Sequence, residues 1–258
     1  MFGGELIHQA TDEFGSIEVV EFQQKIRSLH FGNKTQQSAM LISNPYILIH
    51  KYAQAMMLPL CWNKTSKVLV LGLGSASIVK YLYNYFQDLH IDAIELRPKV
   101  IELAKEYFLM PECDERFQIY NESAFDWLNN KNDSDISEAE KYDLIIVDMF
   151  LTSKAGKDIT IDVSAAIRNI FNLLTDEGVV VFNQLGQNVY SYSAFDSLLS
   201  VYLIHQLYSI DIDSTNTILL ASKSTIPSEI SDQTFHHFEK NYSSPYKYYF
   251  ENLHPVFE

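Results

Sequence analysis

The stretch Lys67–Glu95, KVLVLGLGSASIVKYLYNYFQDLHIDAIE, decides how the chain folds. Lys67–Leu71 carries a short apolar run of the kind a buried parallel strand uses. Gly72 and Gly74 follow at once, where a chain leaving a strand needs a permissive backbone. The next segment predicts a helix over Ala76–Phe86, which Ser75 or Ser77 can cap. Ile91–Glu95 is a second apolar run ending on an acid, about 20 residues beyond the glycines, the offset at which a carboxylate grips ribose hydroxyls. Strand, G-x-G, helix, strand and acid in that order predict a nucleoside pocket, with backbone N–H groups on one side and Glu95 on the other. The alternative is an ordinary βαβ turn with a solvent-facing Glu95.

Downstream the alternation continues. Pro98–Phe108 reads as a helix, Phe117–Tyr120 as a third strand and Ser123–Leu128 as the start of a short helix. Asn129–Lys141 is polar and acidic without apolar periodicity, a solvated insertion. Tyr142–Val147 is the fourth strand, ending at Asp148, and Met149–Ile159 a loop. Val163–Leu174 reads as a helix closed by a turn at Asp176–Gly178, Val179–Asn183 as the fifth strand, and Tyr192–Ile204 as a helix. His205–Asp211 and Asn216–Ala221 are the sixth and seventh strands. Strands alternating with helices predict an α/β fold with a mostly parallel seven-stranded sheet. The last two strands follow without a helix between them, so the final one should run antiparallel, in an edge hairpin. The tail Thr225–Glu258 is aromatic and polar, suited to closing over the core or a partner subunit. Upstream, Ser16–Glu21 and Ile26–Phe31 flank Gln23–Lys25 as a β-hairpin. Tyr46–Leu60 is apolar at helical spacing, with Pro45 at its start. The expected organisation is a small N-terminal β unit with its connecting helix over 1–60, then a Rossmann-like nucleoside-binding domain over 61–258.

Across its 258 residues the chain has a formal net charge of −14, which argues against DNA or RNA as the main partner. It suits a small cationic ligand, and serves solubility equally well. Two distant cysteines make neither a disulfide framework nor a metal cluster. The first residues lack the pattern of a signal peptide and no run is long enough to span a membrane, so a cytoplasmic protein is expected. The eight histidines show no metal-binding spacing, so no metal is expected, and a G-x-S-x-G nucleophile motif is missing. His50 and His205 read as hydrogen-bonded core or boundary residues, His236 and His237 as surface.

In an open α/β sheet, ligands bind beyond the carboxyl ends of the strands. That selects the Gly72–Ser77 loop, Glu95, the segment Asn121–Ala124 and Asp148. Glu122 or Ser123 could hold an adenine edge. Asp148, a carboxylate ending an apolar strand, can accept a proton from an attacking amine or hold a cationic sulfur or ammonium. The alternative is an Asp that caps the following loop.

These segments resemble one family. HQATDEFGSIEVVE near the start, VLVLGLGSAS, IDAIELRPKVIELAKEYF and YDLIIVDMF are similar to the spermidine synthases, the polyamine aminopropyltransferases. The resemblance covers nearly the whole chain. It implies a small N-terminal β domain joined to a methyltransferase-like Rossmann fold. A homodimer is expected on a separate ground, since the exposed edge of the N-terminal hairpin is a natural place for pairing. It implies a site for decarboxylated S-adenosylmethionine, S-adenosylmethionine or methylthioadenosine, lined by Gly72, Gly74 and Ser75, with Glu95 on the ribose and Gln9 near the nucleoside. Glu122 and Ser123 stand where the family reads adenine with an Asp. Asp148 matches the first acid of a D-x-x-D that places and deprotonates the amine. The chain departs from the family at GLGSAS, where GGGDG is usual, at Ser123, and at Leu151, which replaces the second acid. The Y-H-E or Y-Q-E segment has no clear counterpart in YILIHKYAQAM. A diamine with two charges wants a partner near each, and Leu151 removes one. The leading expectation is aminopropyl transfer to a cationic amine. A methyltransferase on the same scaffold and a homologue without catalysis are the alternatives.

Overall fold

The structure is a computed structural model that describes residues 3–131, 136–152, 158–160, 166–185, 206–212 and 216–256. Four antiparallel strands open the chain: β1 (Glu5–Asp12), β2 (Gly15–Phe22), β3 (Ile26–His30) and β4 (Ser38–Leu41). The hairpin expected around Gln23–Lys25 is their centre. A short α1 (Lys51–Met56) and a 3₁₀ turn (Leu58–Cys61) lead into the large sheet. The helix expected over Tyr46–Leu60 is thus confined to Lys51–Met56, with a 3₁₀ turn after it. His50 occupies the N-cap position without a side-chain capping bond, and Pro45 lies well before its start.

The glycine stretch folds as expected into β5 (Lys67–Leu71), α2 (Ser77–Tyr85) and β6 (His90–Ile94). There follow α3 (Pro98–Phe108), β7 (Phe117–Tyr120), α4 (Ala124–Asn130), a 3₁₀ turn (Glu138–Glu140) and β8 (Tyr142–Val147). The loop expected over Met149–Ile159 instead holds an antiparallel pair, β9 (Phe150–Thr152) and β10 (Asp158–Thr160). Then come α5 (Ile167–Asn172), β11 (Leu174–Leu185), β12 (Gln206–Asp211) and β13 (Asn216–Ser222). The turn expected at Asp176–Gly178 lies inside β11. It forms an irregularity there, because pairing with β8 jumps from Leu174–Tyr142 to Val179–Leu144. The helix expected over Tyr192–Ile204, and His205, lie outside the described residues.

Among the described residues the large sheet has eight strands in the order β14-β12-β13-β11-β8-β5-β6-β7, with β14 (His254–Pro255) supplied by the tail. The strands from β7 to β11 are parallel. The sixth and seventh predicted strands, β12 and β13, pair antiparallel as the expected hairpin; β13 lies next to β11, and β12 lies outside it, covered among the described residues only by the short β14. Alternation along β5 explains why both faces are covered: Val68 and Val70 enter one core with α2, α3 and the tail helices, and Leu69 and Leu71 enter the other with α4 and α5. The tail helices α6 (Asp232–Tyr242) and α7 (Tyr246–Glu251) bury Phe235, Tyr246 and Tyr249 in the first core. No helix among the described residues is long and apolar enough to cross a membrane.

Candidate functional site

A cavity opens at the carboxyl ends of β5, β6 and β8, roofed by the N-terminal sheet. Gly72, Gly74, Glu95, Ser123 and Asp148 line it, together with Phe31, Ser38, Tyr52 and Arg97.

The glycine loop is shaped by contact rather than by a helix cap. Gly72 adopts φ +95°, and a Cβ there would stand 2.2 Å from the Asp148 carbonyl oxygen. Only a residue without a side chain lets β5 and β8 release their chains this close together. Neither Ser75 nor Ser77 caps α2, contrary to expectation; the N-cap is Ala76, in the left-handed region. Ser75 is buried and outside the cavity lining, and its N–H donates to Ser38 Oγ at 2.7 Å. Ser77 lines the cavity and donates to the Ala39 carbonyl at 3.2 Å. β4 is therefore stitched onto the loop.

Glu95 is 9% exposed, which excludes the solvent-facing alternative. Its Oε2 accepts the Leu73 N–H at 3.0 Å and its Oε1 the Arg97 N–H at 2.8 Å. Burial raises its pKa, while the N–H groups of Arg97, Leu73 and Gly74 and the nearby Arg97 charge oppose the rise. A carboxylate has more lone-pair sites than those donors use, so ribose hydroxyls can still be accepted. Asn121 fixes the strand end beneath, donating to the Glu95 and Leu96 carbonyls at 2.9 and 3.1 Å. Ser123 caps α4, accepting the Asp126 N–H at 3.5 Å. Glu122 is half-buried and Gln9 exposed; neither lines the cavity. The Gln9 amide donates instead to Ser16 Oγ at 3.0 Å and to Glu18 at 3.4 Å.

Arg97 joins the two units. It is 3% exposed, grips both Asp12 oxygens at 2.9 Å, and its guanidinium carbon stands 4.5 Å from the Phe31 ring centre. Removing one partner of a buried pair strands the other charge. Asp12→Ala is therefore expected to cost about 2 kcal/mol of folding stability, somewhat below the full penalty because the Gly15 carbonyl at 3.2 Å remains. Denaturant titration checks this, and an unchanged midpoint at unchanged slope would refute it.

Asp148 lies across the loop from Glu95. Its Oδ1 accepts from Asn183 Nδ2 at 2.9 Å, and Asn183 Oδ1 in turn accepts from Asn216 at 2.8 Å. The Tyr52 hydroxyl, which donates to the Gln37 carbonyl at 3.4 Å, also faces Asp148. Burial pushes the Asp148 carboxyl up to about 6 against the pull of Asn183 and Tyr52. The same burial, with Asp148 beside it, raises the Tyr52 phenol well above its ordinary range. A carboxylate so tuned can exchange a proton near neutral pH. Asn183 satisfied the rule that selected Asp148, a polar group at the carboxyl end of an apolar strand, and could have been found by it. Tyr52 could not, because it reaches the site only through the fold. His50, expected to be hydrogen-bonded, lines the cavity with Nε2 buried and without a partner. Leu151 forms backbone pairs in β9 opposite Ile159, and its side chain lies outside the described residues.

The comparisons agree with this architecture. Residues 49–200 match the spermine/spermidine synthase domain. A polyamine aminopropyltransferase of Chromobacterium violaceum is 30% identical over 199 residues, spanning 76% of this chain and 72% of that protein. Among solved structures, a probable spermidine synthase from Corynebacterium glutamicum superposes with TM-score 0.69 at 16% identity, covering 92% of this chain and 88% of its own. Human methyltransferase-like protein 13, solved with SAH, gives 0.56 at 20% identity over 77% of this chain and 93% of its own. The chain folds as a methyltransferase-like α/β domain behind a small antiparallel sheet, and it belongs to the spermine/spermidine synthase family.

Proposed function

We propose that this protein transfers an aminopropyl group from decarboxylated S-adenosylmethionine to an amine, with Asp148 as the base. The observation that carries the reading is the contact between Gly72 and the Asp148 backbone, which sets a tuned carboxylate directly beside the nucleoside loop. The names of the similar proteins, aminopropyltransferases and spermidine synthases, support it.

The glycine loop and Glu95 hold the nucleoside. Asp148 receives the proton that the acceptor ammonium must lose, and the freed nitrogen lone pair attacks the carbon next to sulfur. The C–N bond forms as the C–S bond breaks. The sulfur keeps the bonding pair and leaves as neutral methylthioadenosine, so no other reactant is needed. Asn183 orients the Asp148 carboxylate, and Tyr52 faces it.

The lining also favours the decarboxylated donor over S-adenosylmethionine. Among the described lining residues the arginine or lysine cation is Arg97 alone, and Asp12 already occupies it. The carboxylate of S-adenosylmethionine would meet Glu95 and Asp148 instead of a partner, which is costly in a buried site. The expected order of thermal stabilisation is therefore methylthioadenosine and the decarboxylated donor above S-adenosylmethionine. Methylthioadenosine at 100 times its Kd should add about 2.7 kcal/mol. Strongest stabilisation by S-adenosylmethionine would overturn the reading in favour of methyl transfer.

A further inference from the structure

We propose that His50 is the acceptor-selecting residue of this site: its imidazole accepts a hydrogen bond from the far ammonium of an extended diamine. The inference rests on the aminopropyl-transfer reading and names its acceptor class.

Four observations converge on His50. It lines the cavity. It occupies the N-cap position of α1, yet its ring makes no capping bond. Its Nε2 is buried with no hydrogen-bond partner, and an unmet buried nitrogen is a standing cost that a ligand donor would remove. The ring stacks on Tyr52, with centroids 5.5 Å apart and planes inclined 22°, and Tyr52 faces Asp148. No hydrogen bond among the described residues holds the ring.

The chemistry of the lining leaves this task to His50. A diamine brings two cations. Asp148 takes the reacting one. Glu95, the other carboxylate in the described lining, already receives N–H groups on both oxygens and lies on the nucleoside side of the glycine loop. Burial holds the His50 pKa below its ordinary value, so near pH 7 the ring is neutral and offers a lone pair rather than a repelling charge. The imidazole thus supplies the second acceptor group that a diamine site requires.

Calorimetry on the protein saturated with methylthioadenosine tests this, with 1,4-diaminobutane and butylamine as probes. The wild type should bind the diamine about tenfold or more tighter than the monoamine, a gap of about 1.4 kcal/mol. His50→Phe should abolish that preference by weakening the diamine alone, and His50→Asn, which keeps an acceptor oxygen, should restore part of it. Methylthioadenosine affinity should be the same in all three proteins. A preference that survives in His50→Phe, its absence from the wild type, or an equal loss for both amines would each overturn the proposal. Failure of the underlying reading would show earlier and separately, as a wild type that does not take up methylthioadenosine.

Discussion

Asp148→Asn should lower kcat by roughly 10²- to 10⁴-fold, the usual range for losing a positioned base, while methylthioadenosine binds as before. The amide is close in size to the carboxylate and can still accept from Asn183 through its oxygen, so the surroundings stay in place. What it lacks is the ability to take a proton. The wild-type profile of kcat/KM should rise through about pH 6, where the Asp148 carboxyl ionises in the free enzyme, and the variant should lose that limb. Stability should move the other way. A carboxyl whose folded pKa lies near 6, above its unfolded value, binds more protons when folded in the interval between them. Its stabilising contribution is fully present below the unfolded value and is lost as pH rises through 6. Asp148→Asn removes the buried charge and should unfold later than wild type above pH 6, by roughly 2 kcal/mol, a trade of function against stability. An active Asp148→Asn protein with an unchanged acid limb would remove Asp148 from the chemistry.

Gly72→Ala should be the most damaging single change in the nucleoside loop, costing about 4 kcal/mol or more and abolishing nucleoside binding. Two independent costs meet there. The residue sits at φ +95°, where an L side chain is strained, and the new methyl would lie 2.2 Å from the Asp148 carbonyl oxygen, a backbone atom that cannot swing aside. Relief would require β5 and β8 to part at their carboxyl ends, moving Asp148 away from the loop. Gly74→Ala is the matched comparison. Its φ is +55°, in the ordinary left-handed well, and its methyl would meet Ser38 Oγ at 3.0 Å, a side-chain atom that needs to give by only a few tenths of an ångström and can do so while still accepting the Ser75 N–H. That change should cost about 1 kcal/mol. Thermal unfolding of the pair checks the ranking, and equal losses would show that the close approach at Gly72 is not what shapes the loop.

What the sequence made legible follows from how each feature is encoded. The α/β class, the order of strands and the antiparallel seventh strand were readable because apolar runs and glycine turns are local signals. The spans Pro98–Phe108, Phe117–Tyr120 and Tyr142–Val147 coincide with α3, β7 and β8. Insertion of β13 between β11 and β12 was not readable, because two strands joined without a helix state their pairing but not their side. The helix over Tyr46–Leu60 was overextended because apolar spacing alone does not mark a helix start, and this hid Tyr52 and His50 in its first turn. At the site, Gly72, Gly74, Glu95 and Asp148 were singled out by position at strand ends. Arg97 was overlooked although it follows Glu95 by two residues, since its partner Asp12 is 85 residues away. Gln9 was chosen by likeness to a family pattern and Glu122 by its place at a strand end; both stand outside the cavity lining, where β1 and the turn after β7 carry them.

The central claim is that a carboxylate beside a glycine-loop nucleoside pocket serves aminopropyl transfer. Its most direct test is one incubation of the wild type with decarboxylated S-adenosylmethionine, with and without 1,4-diaminobutane, following methylthioadenosine by chromatography. The account predicts methylthioadenosine release that depends on the amine, with an aminopropylated amine formed in equal amount. No amine-dependent release, in a protein shown to bind methylthioadenosine, would contradict it.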